Sequence, residues 1–394
     1  MSFGANLKKV FSQNIREYGM YIALFVIMAI FAVTTNGTFI SARNISNLVN
    51  QMGYIAVLAV GMMLVIVARQ IDLSVGFLAG FLGAVAAIAM TQWNLPVWVV
   101  IPMTLFLGIC AGLLTGFMVA RLKIPAFVAS MAGWLAYRGL ILLVTESTGT
   151  IIIPDATFNA IGNGFIPDFG GDAFLPGIHK VSLLLGVIAI VIFIYNEIRG
   201  RQKKMSYGFE VLPTSMFVMK LVVISALVGT ITWILASYQG FSWTLVIVIV
   251  VAGIYDFVAN KTIVGRHIYA VGGNPEAAEL SGISVSRILY LVFGSMGMLS
   301  ALSGILFASR LKSATTTAGN LFEMDAIAAC YIGGVSAGGG IGKIMGAIIG
   351  ALVMMSLQNG MQLMGTGISL QYVIRGLVLT AAVIFDVATR NRAK

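Results

Sequence analysis

The chain has 394 residues, of which 59% are hydrophobic and only 10% charged, against roughly 25% charged in soluble domains. That balance excludes a soluble globule. The formal net charge of +10 fits membrane topology better than a nucleic-acid partner, and none is expected.

In chain order, apolar runs cover about 18–35, 46–68, 73–91, 96–120, 124–144, 180–198, 217–236, 241–259, 287–308, 321–336, 341–360 and 368–386. Runs of about 20 residues suit membrane-spanning helices, whereas a β-barrel would alternate over segments of about ten. The predicted fold class is therefore all-α, a polytopic membrane bundle of about 10–12 hydrophobic helices, some broken or re-entrant. Lys8, Lys9 and Arg16 precede the first run with no convincing small-residue cleavage site, so it reads as a retained span.

If the spans alternate from a cytoplasmic N-terminus, eighteen of the 24 Lys and Arg fall on the cytoplasmic side and six on the other. The inner segment 199–216 carries Arg199, Arg201, Lys203 and Lys204. The outer loop 145–179 carries Glu146, Asp155, Asp168 and Asp172 and neither Lys nor Arg. Both termini are thus expected in the cytoplasm. The basic segment fits topology and contact with anionic lipid, with partner contact as the lesser reading.

Small residues four apart, at Gly76-Gly80-Ala84, Gly108-Gly112-Gly116 and Gly342-Gly346-Gly350, predict helices in close contact. Ile71-Asp-Leu-Ser-Val-Gly76 and Met324-Asp-Ala-Ile327 occupy similar places in the two halves, a weak sign of an internal pseudo-repeat.

Chemistry is poorly provided for. Cys110 and Cys330 have neither disulfide nor metal spacing, and His179 and His267 fall on opposite sides of the membrane. Gly333–Lys343 is rich in glycine, but Ala337 and Ile344 stand where a P-loop needs its first glycine and its hydroxyl. No catalytic residue, metal or cofactor is expected in the chain.

Asp72, Arg138, Asp256, Asp325 and Arg375 lie in or beside apolar runs, where charge is costly. Each either pairs locally or serves a pathway. Asp72 is the best pathway candidate, because Asp72 or Ser74 can cap a half-helix at membrane depth. Asn50, Gln51, Gln358, Asn359, Gln362 and Gln371 either line a route for a neutral, hydroxyl-rich solute or hydrogen-bond between helices. Trp93, Trp98, Trp134, Trp233 and Trp243 are expected in an interfacial belt.

The polar stretch Gly265–Ile283 interrupts this apolar pattern. Asn274 reads as a helix N-cap, Pro275 as the first helical residue, Glu276 and Glu279 as first-turn acids and Gly282 as the stop. A helix this short is unstable alone and must dock on something.

Glu276-Ala277-Ala278, three further residues and Gly282 resemble the EAA motif of permeases in ATP-binding-cassette importers. Gly265–Ala278 as a whole looks like the version found in monosaccharide permeases of the ribose, xylose and galactose type. The resemblance extends to Ile71–Gly76, Ile124–Phe127 with Tyr137–Gly139, and Ala328–Gly334 through Gly360. Ile15–Met20, the basic insert and Gly164–Asp168 look most like the xylose or multiple-monosaccharide branch. Ala126–Ser130 and Gly338–Gly340 depart from the family pattern.

The resemblance implies a single transmembrane permease domain over 1–394, with a basic cytoplasmic insert at 199–216, a coupling loop at 260–286 and a periplasmic loop at 145–179. It implies a bacterial inner-membrane subunit that imports a xylose-, glucose-, galactose- or arabinose-like sugar. Its partners would be cytoplasmic ATPase subunits holding ATP-Mg, a periplasmic sugar-binding protein and a second permease copy in a homodimer. Asn274, Pro275, Glu276, Ala277, Ala278, Glu279 and Gly282, with Arg266 nearby, would form the coupling helix. Asp72, Ser74, Asn50, Gln51, Gln358 and Asn359 are the pathway candidates. The alternative is a proton-coupled secondary sugar transporter.

Overall fold

A computed structural model describes residues 15–146, 149–169, 175–209 and 211–391. Lys8, Lys9, Asp172, Arg392 and Lys394, and the side chains of Arg16 and Arg390, lie outside the described residues. The fold is a polytopic helical bundle, as its composition predicts. The first five helices are α1 (Ile15–Thr34), α2 (Ala42–Val67), α3 (Val75–Thr91), α4 (Val97–Ala120) and α5 (Ala126–Thr145). Then come the strand β1 (Ile151–Ile152), α6 (Ala156–Asn163), α7 (Lys180–Ser206), α8 (Thr214–Ala236), α9 (Trp243–Lys261), α10 (Ile263–Gly273) and α11 (Pro275–Leu280). The chain ends with α12 (Val285–Leu311), the strand β2 (Ser313–Ala314), α13 (Phe322–Ile332), α14 (Ile344–Leu363) and α15 (Ile368–Asn391).

Among the described residues, nine helices are long and apolar enough to cross a membrane. The expected helix over 321–336 is shorter than its apolar run. It stops at Ile332, because Gly333 and Gly334, the latter at φ +82°, carry the chain into an irregular segment before α14. The basic insert also differs from expectation. Arg199, Arg201, Lys203 and Lys204 belong to the final turns of α7, where cations favour the helix C-terminus.

The bundle is layered by burial. In α2, 94% of the apolar window is buried, against 11% in α7 and α8, so α2 is central and the α7–α8 hairpin peripheral. The glycine ridges work as close-contact faces. The α carbons of Gly108 and Gly112 lie against the Gly297 and Phe293 carbonyls of α12, leaving no room for a side chain. Gly346 and Gly350 do the same against Gly333 and Ala329.

Loop contacts sort the bundle into two ends. At one end β1 pairs antiparallel with β2, Phe165 bridges Ser242 and the His179 N–H donates to the Ala236 carbonyl. At the other, Arg69 reaches Gly273 and Gly338, and Ser286 reaches the Ala120 carbonyl. The second end, which carries 199–213 and 260–286, is called the basic face below. In the described part of 145–179, two of the acids close helix N-termini. Asp155 caps α6 by accepting from Phe158 N–H at 2.7 Å. Asp168 accepts from the Lys180 and Val181 N–H groups that open α7, at 3.1 and 3.0 Å. Partial desolvation would raise the Asp168 carboxyl. The N–H bonds from Val181, Lys180 and Phe169 outweigh it and hold the group below the usual carboxylate range.

Candidate functional site

The polar stretch forms two helices rather than one. Thr262 caps α10, accepting from Gly265 N–H at 3.2 Å. The chain leaves α10 at Asn274, whose N–H still donates to the Ala270 carbonyl. The Asn274 side-chain oxygen then accepts from Ala277 N–H at 3.0 Å, and Pro275 opens α11. Gly282, at φ +83°, ends it. Its N–H donates to the Glu279 carbonyl at 2.9 Å, while Ile283 N–H reaches back to Ala278 at 3.0 Å. Ala278 is buried against the bundle. Arg266, Asn274, Glu276, Ala277, Glu279 and Gly282 are exposed, Pro275 is half-buried, and Leu280 is 91% exposed. Leu280 was not singled out in the sequence. Its signal was an apolar residue in the one polar stretch.

The loop read as a failed P-loop is the seat on which this module rests. Arg69, at φ +60° just beyond α2, donates from Nε to the Gly338 carbonyl and from Nη2 to the Gly273 carbonyl, each at 2.7 Å. Gly340 N–H donates to the Val67 carbonyl at 2.8 Å, and the Tyr269 hydroxyl donates to the Gly342 carbonyl at 2.7 Å. Burial first, and the Asp256 charge second, push the Tyr269 hydroxyl up, so it stays a neutral donor. Ala337 N–H donates to Asp386 Oδ2 of α15 at 3.1 Å. The α carbon of Gly272 lies against the Val67 carbonyl with no room for a side chain. One glycine loop, the link between α13 and α14, thus ties α2, α10 and α15 together.

The second feature is a pair of broken helices. Gly304 of α12 packs against the Ala79 and Gly83 backbone of α3, which places the start of α3 near the middle of the 27-residue α12. Tyr54, halfway along the 26-residue α2, lies tilted against Phe322 at 4.8 Å between ring centroids, so α13 also begins at mid-depth. The two N-termini meet where Gly76 lies against the Glu323 carboxylate and the Gly319 carbonyl. The segments noted as a weak repeat, Ile71–Gly76 and Met324–Ile327, therefore converge in space.

Three carboxylates are buried here: Asp72, Glu323 and Asp325. Asp72 Oδ1 accepts from Ser74 N–H at 2.9 Å and from Ser74 Oγ at 2.6 Å, while Ser74 makes no side-chain cap of its own. Of the two proposed caps, Asp72 is therefore the one that folds the turn. Asp325 pairs with Arg375 Nη1 at 3.2 Å. Glu323 was missed in the sequence. Its Oε1 accepts from Trp134 Nε1 at 3.1 Å, and its buried Oε2 has no partner. Trp134 accordingly leaves the expected interfacial belt and is half-buried against this site, while Trp93, Trp98, Trp233 and Trp243 are exposed. Arg138 lies over the Phe77 ring at 4.9 Å, and Asp256 accepts from Asn260 at 2.8 Å.

The amides divide. Asn359 on α14 exchanges hydrogen bonds with Asn44 on α2 at 2.8 and 3.2 Å and donates to Gln51 at 3.5 Å. Gln51 donates to Gln362 at 3.4 Å. Gln51 and Asn359 thus serve helix–helix bonding. Gln358 is half-buried and joins none of these bonds, and Gln371 donates to the Thr366 carbonyl at 2.8 Å. Asn50 differs, because its buried Oδ1 has no partner and it lines an open cavity.

Comparison with known proteins gives a consistent result. Residues 44–383 match the model of a family described as branched-chain amino acid transport system / permease component. The chain is 38% identical to the xylose transport system permease protein XylH of Haemophilus influenzae over 98% of this chain and 99% of that protein. It is 38% identical to XylH of Escherichia coli K12 over 97% of this chain and 94% of that protein. It is 32% identical to the ribose import permease protein RbsC of Escherichia coli K12 over 94% and 93%. No solved structure matches the chain.

Proposed function

The chain belongs to the branched-chain amino acid transport system / permease component family, and from that membership we propose that it is the membrane subunit of an ATP-driven, binding-protein-dependent monosaccharide importer. A pentose such as xylose is the substrate class, by similarity to relatives named for xylose and ribose. The basic face lies in the bacterial cytoplasm with both termini, following the positive charge. A cytoplasmic ATPase supplies the ATP-Mg chemistry, a periplasmic protein delivers the sugar, and a second copy of this chain completes the pathway.

One observation carries the coupling role. The α11 helix is capped at both ends and rooted by Ala278, yet presents Glu276, Glu279 and Leu280 to solvent. A rigid two-turn knob with a bare leucine and two acids suits a cleft with basic walls on another protein. Displacement of α11 passes into α10, then through Arg69 and the glycine loop to α2, α13 and α14. Asp72 follows Arg69 by three residues, and Glu323 lies at the start of α13, the end away from the glycine loop.

Co-purification and uptake test this reading in cells that carry the ATPase and the binding protein. Glu276→Ala and Leu280→Glu should abolish xylose uptake and reduce ATPase recovery about tenfold or more, with the permease still folded in the membrane. Gly282→Pro should do the same, since proline cannot adopt φ +83°. Wild-type uptake by all three would remove the coupling role. The buried carboxylates favour a second reading, proton-coupled transport, which predicts uptake that survives ATP removal and collapses with a protonophore.

A further inference from the structure

We propose that the face opposite the basic one carries a binding site for a neutral monosaccharide within this chain, centred on Asn50 and separate from any site on a delivery protein. The inference rests on the sugar-importer reading only for the choice of sugar. A cavity of about 600 Å³ opens between the N-terminal half of α2, the end of α6 and the α8–α9 turn. That volume falls in the ordinary range of small-molecule sites. Ten of its twelve lining residues are polar, and Asn44, Asn47, Asn50 and Asn163 dominate. No carboxylate lines it, and Arg43 is its one charge.

The amides differ in what they have left to offer. Asn44 is held by Asn359 and by the Phe39 carbonyl, so it builds the floor. Asn163 is held by the Ser309 and Arg310 carbonyls, and Asn47 accepts from Arg310 at 3.1 Å. Among the described residues Asn50 alone of the four makes no side-chain hydrogen bond; rotation of its amide would bring the unpartnered Oδ1 to the cavity, where an entering hydroxyl would satisfy it. An amide both donates and accepts, as a sugar hydroxyl does, so neighbouring amides match vicinal hydroxyls. Phe165 and Tyr238, edge to face with centroids 6.4 Å apart, supply apolar surface for the C–H face of a sugar ring.

The test is saturation-transfer NMR on the purified chain in lipid nanodiscs, with millimolar D-xylose and no other protein. Transfer to the sugar is expected. It should fall about fivefold in Asn50→Leu, the factor for one neutral hydrogen bond, and comparably in Tyr238→Ala. Tyr238 is exposed in a turn, so its variant keeps the test valid if Asn50→Leu fails to fold. Glu276→Ala should leave the signal unchanged, so loss of ATPase coupling and loss of sugar binding are separately visible. Equal transfer in wild type and both variants would overturn the site. So would transfer only when a delivery protein is added, or tighter binding of gluconate than of xylose.

Discussion

Arg69 ends the most deeply buried helix of the bundle, yet its side chain turns back to hold two carbonyls on two other elements. Its bonds to Gly273 and Gly338 are charge-assisted and fix the docking module to the glycine loop. Arg69→Ala should therefore uncouple rather than unfold. ATP hydrolysis should persist while xylose uptake falls about tenfold, equal to about 1.4 kcal/mol of lost coupling. A parallel fall in hydrolysis and uptake would assign Arg69 to docking alone. Asp325 and Arg375 pose a different problem, since both are sheltered and each compensates the other. Removing one partner of a buried pair costs about 3–5 kcal/mol, whereas removing both costs far less. Asp325→Asn and Arg375→Gln should each lower the thermal midpoint more than the double variant does. Additive losses would show that the pair is not coupled. Asp72 was singled out in the sequence for transport, and its geometry is that of a turn-forming cap. Asp72→Asn keeps an acceptor for Ser74, so a fall in uptake with ATPase binding intact would show a role beyond the cap.

At the scale of elements, the short helices owe their ends to single residues and their places to glycine. Gly350 lies against the Ala329 carbonyl, so Gly350→Val must push α14 away from α13. Overpacking of this kind costs about 1–3 kcal/mol, and the variant should melt several degrees lower in detergent. Unchanged melting would mean that the two helices are not held in contact. The α7 terminus is acid-sensitive in a defined direction. The Asp168 carboxyl is held below its ordinary range in the fold, so its cap is fully present above that range. The cap is lost as pH falls through the lowered folded value. Protection of the Val181 amide from hydrogen exchange, taken relative to its intrinsic rate at each pH, should be lost there in the wild type and be absent at every pH in Asp168→Ala.

For the whole molecule, the loops meet in two groups at opposite ends, and orientation can be read directly. In a Cys110→Ala background, Ser281→Cys should react with an impermeant maleimide only after the cytoplasm is opened, and Gly149→Cys in intact spheroplasts. The reverse pattern would invert the assigned sides. The apolar runs were legible because a bilayer demands about 20 apolar residues per crossing and leaves little freedom in where a span lies. The docking helix was legible for the opposite reason, as a capped polar stretch in an apolar chain, and Asn274 and Gly282 perform the roles their residue types predict. By itself, then, the sequence determined the helical class, the approximate positions of the long spans and the caps of α11, since these depend on local periodicity and on single backbone positions. Tertiary structure decided the rest. It brought Gly76 against Glu323, turned Trp134 inward, seated Arg69 on Gly338 and left Asn50 beside an open cavity while bonding Gln51 and Asn359 into the bundle. Each of these pairs residues far apart in the chain, and only packing determines which buried polar groups find a partner and which remain free.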